Sequence, residues 1–437
     1  MRLHAAADAG GPPAMEKHPK GLYVLFATEM WERFGFYSML AMFTLYLRSD
    51  QGFQWTAAQA TDLYSNYLMF VYASPLLGGW IADRWLGYRR SVLIGGVVFM
   101  AGYALLTVHT LAAVYGALAL LVIGNGFFKP NVSTMVGNLY PPGSHLKDRA
   151  YNIFYMGINI GAFFAPVIAE FAYRRIGFNR AFGVAALGMV ISVAVLWMFK
   201  RHVEIADGRR KAVQAGTAAA PQGKAQPIDS VSDARRIGAL IVIYLIVIVF
   251  WMVFHQNGST LTYWADENTR WNVSGVISNA INPFFVVAFT FPLIWFWKWL
   301  DRRGREPSTP SKMAIGMLLT TACFGVMFLA AKAGGDTGKV SPLWLISAYA
   351  ILTSGELMLS PMGLSLVSKV APERVRGLMM GGWFVATAIG NKLTAIGVYW
   401  TVWKHSTFFL VLGGMALATA VVLFLLMRPL KKAMPGV

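Results

Sequence analysis

The chain has 437 residues, 56% of them apolar and 13% charged, and its 38 Lys and Arg against 20 Asp and Glu give a net charge of +18. Soluble domains carry about 25% charged residues, so this composition excludes a soluble enzyme, a disordered chain and a small secreted module. One cysteine, Cys323, excludes an internal disulfide framework and a cysteine-based zinc cluster. A nucleic-acid binder would not be this apolar, which leaves a polytopic membrane protein whose basic excess lies in its loops, with no nucleic-acid partner.

A membrane helix needs about 20 mostly apolar residues. Twelve such segments can be placed, near 21–47, 57–82, 91–110, 112–138, 148–172, 180–199, 237–264, 272–299, 312–332, 342–369, 376–400 and 405–427. Residues 1–18 are polar and carry no apolar core of a cleavable signal peptide.

The first segment contains Glu29, Glu32 and Arg33 in FATEMWERFGFYSML. Their spacings of three and four place all three within about one helical turn. A charge at mid-bilayer costs about 2.5–3.5 kcal/mol on insertion scales, so the cluster needs a wet cavity or mutual pairing. Two carboxylates beside one guanidinium can hold or release a proton as the pairing changes. The competing reading is a structural salt-bridge knot, which an apolar packing of the same shape would usually outdo.

After the second segment comes Gly79-x-x-x-Asp83-Arg84-x-x-Gly87, and after the eighth, 218 positions from Asp83, comes Asp301-Arg302-Arg303-Gly304. Loops of this type tie neighbouring helices on one face, so Asp83 and Arg84 are gating or structural candidates. The repeat at half the chain length is the pattern of a carrier built from two similar halves. The fourth segment carries Lys129 in GNGFFKPN, too far from either end to snorkel. Pro130 removes a backbone hydrogen bond there and bends the helix. Residues 201–234, rich in Ala, Gly, Gln and Lys, read as a flexible linker. Glu356, in TSGELMLSPMG of the tenth segment, is the isolated carboxylate of the second half. Lys129 and Glu356 would make a gate between halves, closed by their pairing and opened by protonation or ligand.

At these residues the sequence resembles the proton-dependent oligopeptide transporter family of the major facilitator superfamily. Glu29-x-x-Glu32-Arg33-Phe34 is similar to its E-x-x-E-R-F signature, and Phe154-Tyr155-x-x-Ile158-Asn159-x-Gly161 to its second one. Gly124-x-Gly126-x-x-Lys129-Pro130-Asn131 resembles its fourth-helix pattern. Gly355-Glu356-Leu357, Ser360-Pro361-x-Gly363, Lys369-x-Ala371-Pro372 and Met379-Met380-Gly381-x-Trp383-Phe384 resemble its tenth and eleventh helices. Together they span nearly the whole chain. The resemblance implies import of di- and tripeptides with protons as the coupling ion, and neither cofactor nor metal. It implies proton coupling by Glu29, Glu32 and Arg33, and a peptide carboxylate held by Arg33 and Lys129. Glu356 would receive the peptide ammonium with help from Asn159 and Asn282, and Tyr37, Tyr72 and Trp383 would line side-chain pockets. A zwitterion suits those opposite charges, and aromatic walls suit many side chains. Taken alone, Tyr72 and Trp383 read as packing residues, and Asn159 and Asn282 equally as interhelical hydrogen bonds.

The sequence departs from that pattern in places. Phe36 stands where the first of two tyrosines is usual, and His255 where an acid is common. His255 reads equally as a proton carrier, with an ordinary pKa near 6.5, or as a packing histidine. Ser65 stands where animal relatives carry a histidine. The linker is too short for the two extra helices of many bacterial relatives. A membrane-embedded hydrolase is disfavoured, because no H-E-x-x-H or G-x-S-x-G pattern occurs. A carrier of amino acids, nitrate or other small solutes on the same scaffold stays open.

The expectation is therefore an all-α integral membrane protein of the major facilitator fold, with twelve transmembrane helices in two six-helix bundles, 1–200 and 235–437, joined by a cytoplasmic linker over 201–234. The excess of Lys and Arg in one set of loops puts both termini in the cytoplasm. The protein is expected as a multi-pass monomer of the inner membrane whose partners are di- and tripeptides, protons and the lipid bilayer.

Overall fold

A computed structural model describes residues 17–140, 146–207, 230–372 and 375–435. Among them the fold is helical throughout, and one isolated bridge joins Thr269 to Val340. The first half contributes α1 (Lys20–Arg48), α2 (Ala57–Ile81), α3 (Tyr88–Leu105), α4 (Leu111–Asn138), α5 (Leu146–Ile176) and α6 (Phe178–Met198). The second contributes α7 (Asp233–Phe254), α8 (Thr260–Glu267), α9 (Ile281–Asp301), α10 (Thr309–Ala333), α11 (Pro342–Val370), α12 (Arg376–Leu393), α13 (His405–Leu425) and α14 (Met427–Ala433).

Among the described residues, eight helical stretches are long and apolar enough to cross a membrane: Leu111–Asn138, Ile153–Ile176, Phe178–Met198, Asp233–Glu267, Gly275–Asp301, Thr309–Ala333, Pro342–Ser360 and His405–Leu425. α1 has the length, 29 residues or about 43 Å at 1.5 Å per residue, but Glu29, Glu32 and Arg33 interrupt its apolar run. The predicted segment 237–264 is broken by a 3₁₀ turn, His255–Gly258, between α7 and α8. The backbone leaves the helical region at Ser259, at φ −132° and ψ −95°. Gly258 meets the Tyr64 ring of α2 so closely that a Cβ would lie 2.0 Å from its hydroxyl oxygen. Segment 272–299 opens as a 3₁₀ turn, Gly275–Ala280, and segment 376–400 closes as one, Thr394–Thr401.

Part of the predicted flexible linker is docked. Val203 and Ala206 are buried, Asn138 donates to the Ala206 carbonyl at 3.1 Å, and Arg89 pairs with Glu204 at 3.2 Å and Asp207 at 3.7 Å. Residues 208–229 of that linker lie outside the described residues.

α1 packs on α5 and α6, α4 on α2 and α3, α10 on α11 and α13, and α7 on α12. α2 meets α12, and α5 meets α9, so these four helices form the seam between the two halves of the chain. α2 starts at a capping box in which Thr56 accepts from the Gln59 N–H and the Gln59 side chain accepts from the Thr56 N–H. Inside it, Pro75 has no N–H for the Val71 carbonyl. Asn125 of α4 donates to that oxygen at 2.6 Å and the Ser74 hydroxyl at 3.0 Å, so a bent helix costs no orphaned acceptor.

Polar contacts cross the seam at the C-terminal end of α1. Arg48 pairs with Glu267 at 2.5 Å and lies over the Tyr263 ring at 4.2 Å, and Asp62 pairs with Lys392 at 2.9 Å. Thr44 donates to the Gly258 carbonyl at 3.0 Å, and the Thr61 and Tyr263 hydroxyls lie 3.1 Å apart.

Candidate functional site

The charged residues of α1 form one knot. Arg33 grips Glu32 with two bonds, Nε to Oε2 at 2.5 Å and Nη2 to Oε1 at 2.6 Å, and its Nε lies 3.5 Å from Glu29 Oε1. All three side chains are at most 2% exposed. The second oxygen of Glu29 has no described hydrogen-bond partner. α5 presses on α1 beside the knot because Gly161 allows it. A Cβ there would sit 2.3 Å from the Met30 carbonyl oxygen. Phe36 lies 4.7 Å beneath the Arg33 guanidinium, so the ring at the departing position supports the cation through its π face.

Lys129 shares an electrostatic neighbourhood with Arg33, Glu29 and Glu32. Its ammonium stands over the Tyr72 ring at 4.8 Å. The second centre is on α11. Gly355 approaches the Gly316 carbonyl of α10 so closely that a Cβ would lie 2.7 Å from it, and the adjacent Glu356 reaches α9. There Asn282 donates to Glu356 Oε2 at 2.8 Å and to the Thr353 hydroxyl at 2.9 Å. Tyr37 and Tyr72 are each within electrostatic range of both Arg33 and Glu356.

The structure brings most of the sequence-predicted residues into this region, with particular partners. Lys129 and Glu356 are not ion-paired here; the cation rests on Tyr72 and the carboxylate on Asn282. Asn159 donates to the Tyr155 carbonyl of its own helix at 2.9 Å. His255 stacks on Trp251 at 5.1 Å and faces Tyr72 at 5.7 Å, and its Nε2 is buried without a described partner. Trp383 packs edge-on to Tyr244 at 6.4 Å and fills the space over Gly363. Pro130 lies within a continuous α4, against Gly79 of α2. Asp83 and Arg84 sit in a π turn, Ala82–Leu86, with Arg84 about equally far from Trp80 (5.9 Å) and Trp85 (6.0 Å).

Sequence reasoning missed Thr353, Trp251 and Tyr244. Thr353 was findable, since three residues before Glu356 is the same helical face. Trp251 stands four before His255 and was findable in the same way. Tyr244 touches Trp383 from another helix and left no local signal.

Charges of both signs within the apolar helices of both halves, with Tyr37 and Tyr72 in electrostatic range of Arg33 and of Glu356, fit a solute carrier of the membrane. The PTR2 sequence profile of the POT family matches residues 89–218 and 210–416. The chain is 29% identical to a di-/tripeptide transporter of Lactococcus lactis subsp. cremoris, over 96% of this chain and 97% of that one. It is 31% identical to dipeptide and tripeptide permease A of Klebsiella pneumoniae (strain 342), over 85% and 82%. The crystal structure of the peptide transporter POT in complex with sulfate superposes with a TM-score of 0.86 at 30% identity, covering 97% of each chain. This chain belongs to the POT family, and is a multi-pass membrane transporter, not an enzyme.

Proposed function

We propose that the protein is a symporter that imports di- and tripeptides with protons by alternating access. The observation that carries this reading is the pair of charged centres, Arg33 and Lys129 with two carboxylates in the first half, and Glu356 with Asn282 in the second. A peptide zwitterion is the small solute whose two ends match them, and relatives named as di- and tripeptide transporters support the choice.

On this reading the chain crosses the inner membrane twelve times as two six-helix bundles, 1–200 and 235–437, with both termini cytoplasmic, and it acts as a monomer. The polar contacts at the C-terminal end of α1 then close the outer face, and the conformation described is inward-facing. Lys129 and Glu356 are free of each other in it, as a cavity open to substrate requires. From outside, a proton and a peptide enter together. The peptide carboxylate meets Arg33 and Lys129, its ammonium meets Glu356 and Asn282, and Tyr37, Tyr72 and Trp383 receive its side chains. Protonation of Glu29 or Glu32 loosens the grip on Arg33 and frees that cation for the carboxylate. After release inside, the Lys129–Glu356 pair forms and the empty carrier returns.

Purified protein in liposomes with an imposed inside-alkaline gradient tests this. Labelled dipeptide should accumulate, and unlabelled di- and tripeptides should compete while free amino acids and nitrate do not. Competition by amino acids or nitrate alone would move the protein to the alternative substrates.

A further inference from the structure

Glu170, near the C-terminal end of α5, is 6% exposed and takes no part in the central site. Its carboxylate accepts three hydrogen bonds. The Ser274 backbone N–H reaches Oε1 at 2.8 Å, the Ser274 hydroxyl bonds Oε2, and Arg174 Nε reaches Oε1 at 2.5 Å. Ser274 belongs to the other half of the chain, and it caps the 3₁₀ turn Gly275–Ala280. Its Oγ accepts from the Val276 N–H at 3.2 Å. The next N–H, that of Gly275, goes to Asp266 at 2.9 Å. Two carboxylates thus satisfy the leading donors of the turn, which would otherwise be orphaned.

The turn runs directly into α9, and Asn282 in the first turn of that helix holds Glu356. The ion pairs that cross between halves at this end have carboxylates more exposed than Glu170. Arg48 and Glu267 are 22% and 36% exposed, and Lys392 and Asp62 are 36% and 55%. Exposed pairs contribute little, whereas buried bonds to a carboxylate are the strong ones. At this end Glu170 thus adds a buried carboxylate, bonded twice by Ser274, to the neutral Thr44–Gly258 and Thr61–Tyr263 contacts between halves.

We propose that Glu170 is a positioning residue that latches the outer end of the carrier shut and, through the 3₁₀ turn it caps, sets Asn282 against Glu356. The proposal rests on the alternating-access reading above. Opening the outer face requires Ser274 to leave the carboxylate, and the segment bearing Asn282 moves with it. Closing outside and presenting Asn282 to Glu356 become one event.

The test places spin labels on cysteines at Gln59 of α2 and at Val402, which follows the 3₁₀ turn packed on α2. Both are exposed, and the native Cys323 is buried. Pulsed electron resonance in nanodiscs, without peptide, then reads the distance between halves. Glu170→Ala should raise the open-to-closed ratio at least about tenfold, the factor expected for one charge-assisted bond. Glu170→Gln, which keeps one acceptor oxygen, should shift it less. Ser274→Ala, which keeps the N–H bond, should do likewise. A Glu170→Ala distribution identical to the parent's overturns the latch, even if the variant melts earlier. If Glu170→Ala does not fold, unchanged distributions in both milder variants overturn it. Because this readout needs no substrate, it separates from the carrier reading. A parent that moves peptide while its labels ignore position 170 loses only the latch. A parent whose labels respond but which moves no peptide loses only the substrate.

Discussion

Glu32→Gln separates proton coupling from plain architecture. In the native protein the Arg33 guanidinium makes two bonds to Glu32, at 2.5 and 2.6 Å, and a looser contact with Glu29 at 3.5 Å. Removing one partner of a buried ion pair costs about 3–5 kcal/mol. Glutamine keeps a carbonyl acceptor and so retains one bond to the cation, which recovers about 1.5–3 kcal/mol. The net loss is about 2 kcal/mol, which leaves a folded protein with a lowered melting temperature. The amide cannot exchange a proton as the carboxylate does, so accumulation of labelled dipeptide against its gradient should fall at least about tenfold in liposomes with an inside-alkaline lumen. Counterflow, which exchanges peptide for peptide and needs no net proton movement, should stay within about threefold of the parent. Concentrative uptake equal to the parent's would refute the coupling role of the α1 cluster. Equal loss of uptake and counterflow would instead favour the structural knot.

Other substitutions probe the remaining parts. Lys129→Ala removes the cation above Tyr72 and should abolish uphill uptake before exchange; full activity would sink the gate between halves. Asn282→Ala strips the Glu356 carboxylate of its 2.8 Å donor and should raise the peptide KM about tenfold, and an unchanged KM would remove Asn282 from the site. His255→Gln should lower thermal stability through lost stacking on Trp251 and leave the pH profile of uptake in place; a shifted profile would make His255 a proton carrier. Asn125→Ala withdraws the amide that completes the Pro75 bend and should cost about 1–2 kcal/mol, read as a drop in melting temperature with peptide affinity unaltered.

How much of this was legible in the sequence varies with the physics. Buried charge is rare enough in an apolar chain that Glu29, Glu32, Arg33, Lys129 and Glu356 stand out unaided, and their burial or shared neighbourhood follows from the cost of leaving them alone. The helices were legible from apolar runs. Their interruptions were less so: Asn257-Gly258 carries a local turn signal, but the contact of Tyr64 from another helix that leaves no room for a Cβ at Gly258 left none. Residues 201–207 looked like linker by composition, yet Arg89 holds Glu204 and Asp207 from a distance of more than a hundred residues. The Glu170–Ser274 contact was invisible for the same reason. An acid near a helix end reads as solvated until its partner half is in place.

In the proposed mechanism peptide and proton move together through one site. A liposome carrying a pH-sensitive dye in its lumen, with no imposed gradient and its membrane potential clamped to zero, puts that to a direct measurement. On adding dipeptide outside, the lumen should acidify in step with peptide entry, and the Glu32→Gln protein should admit peptide without acidification. Peptide entry with no proton signal in the parent protein would contradict it.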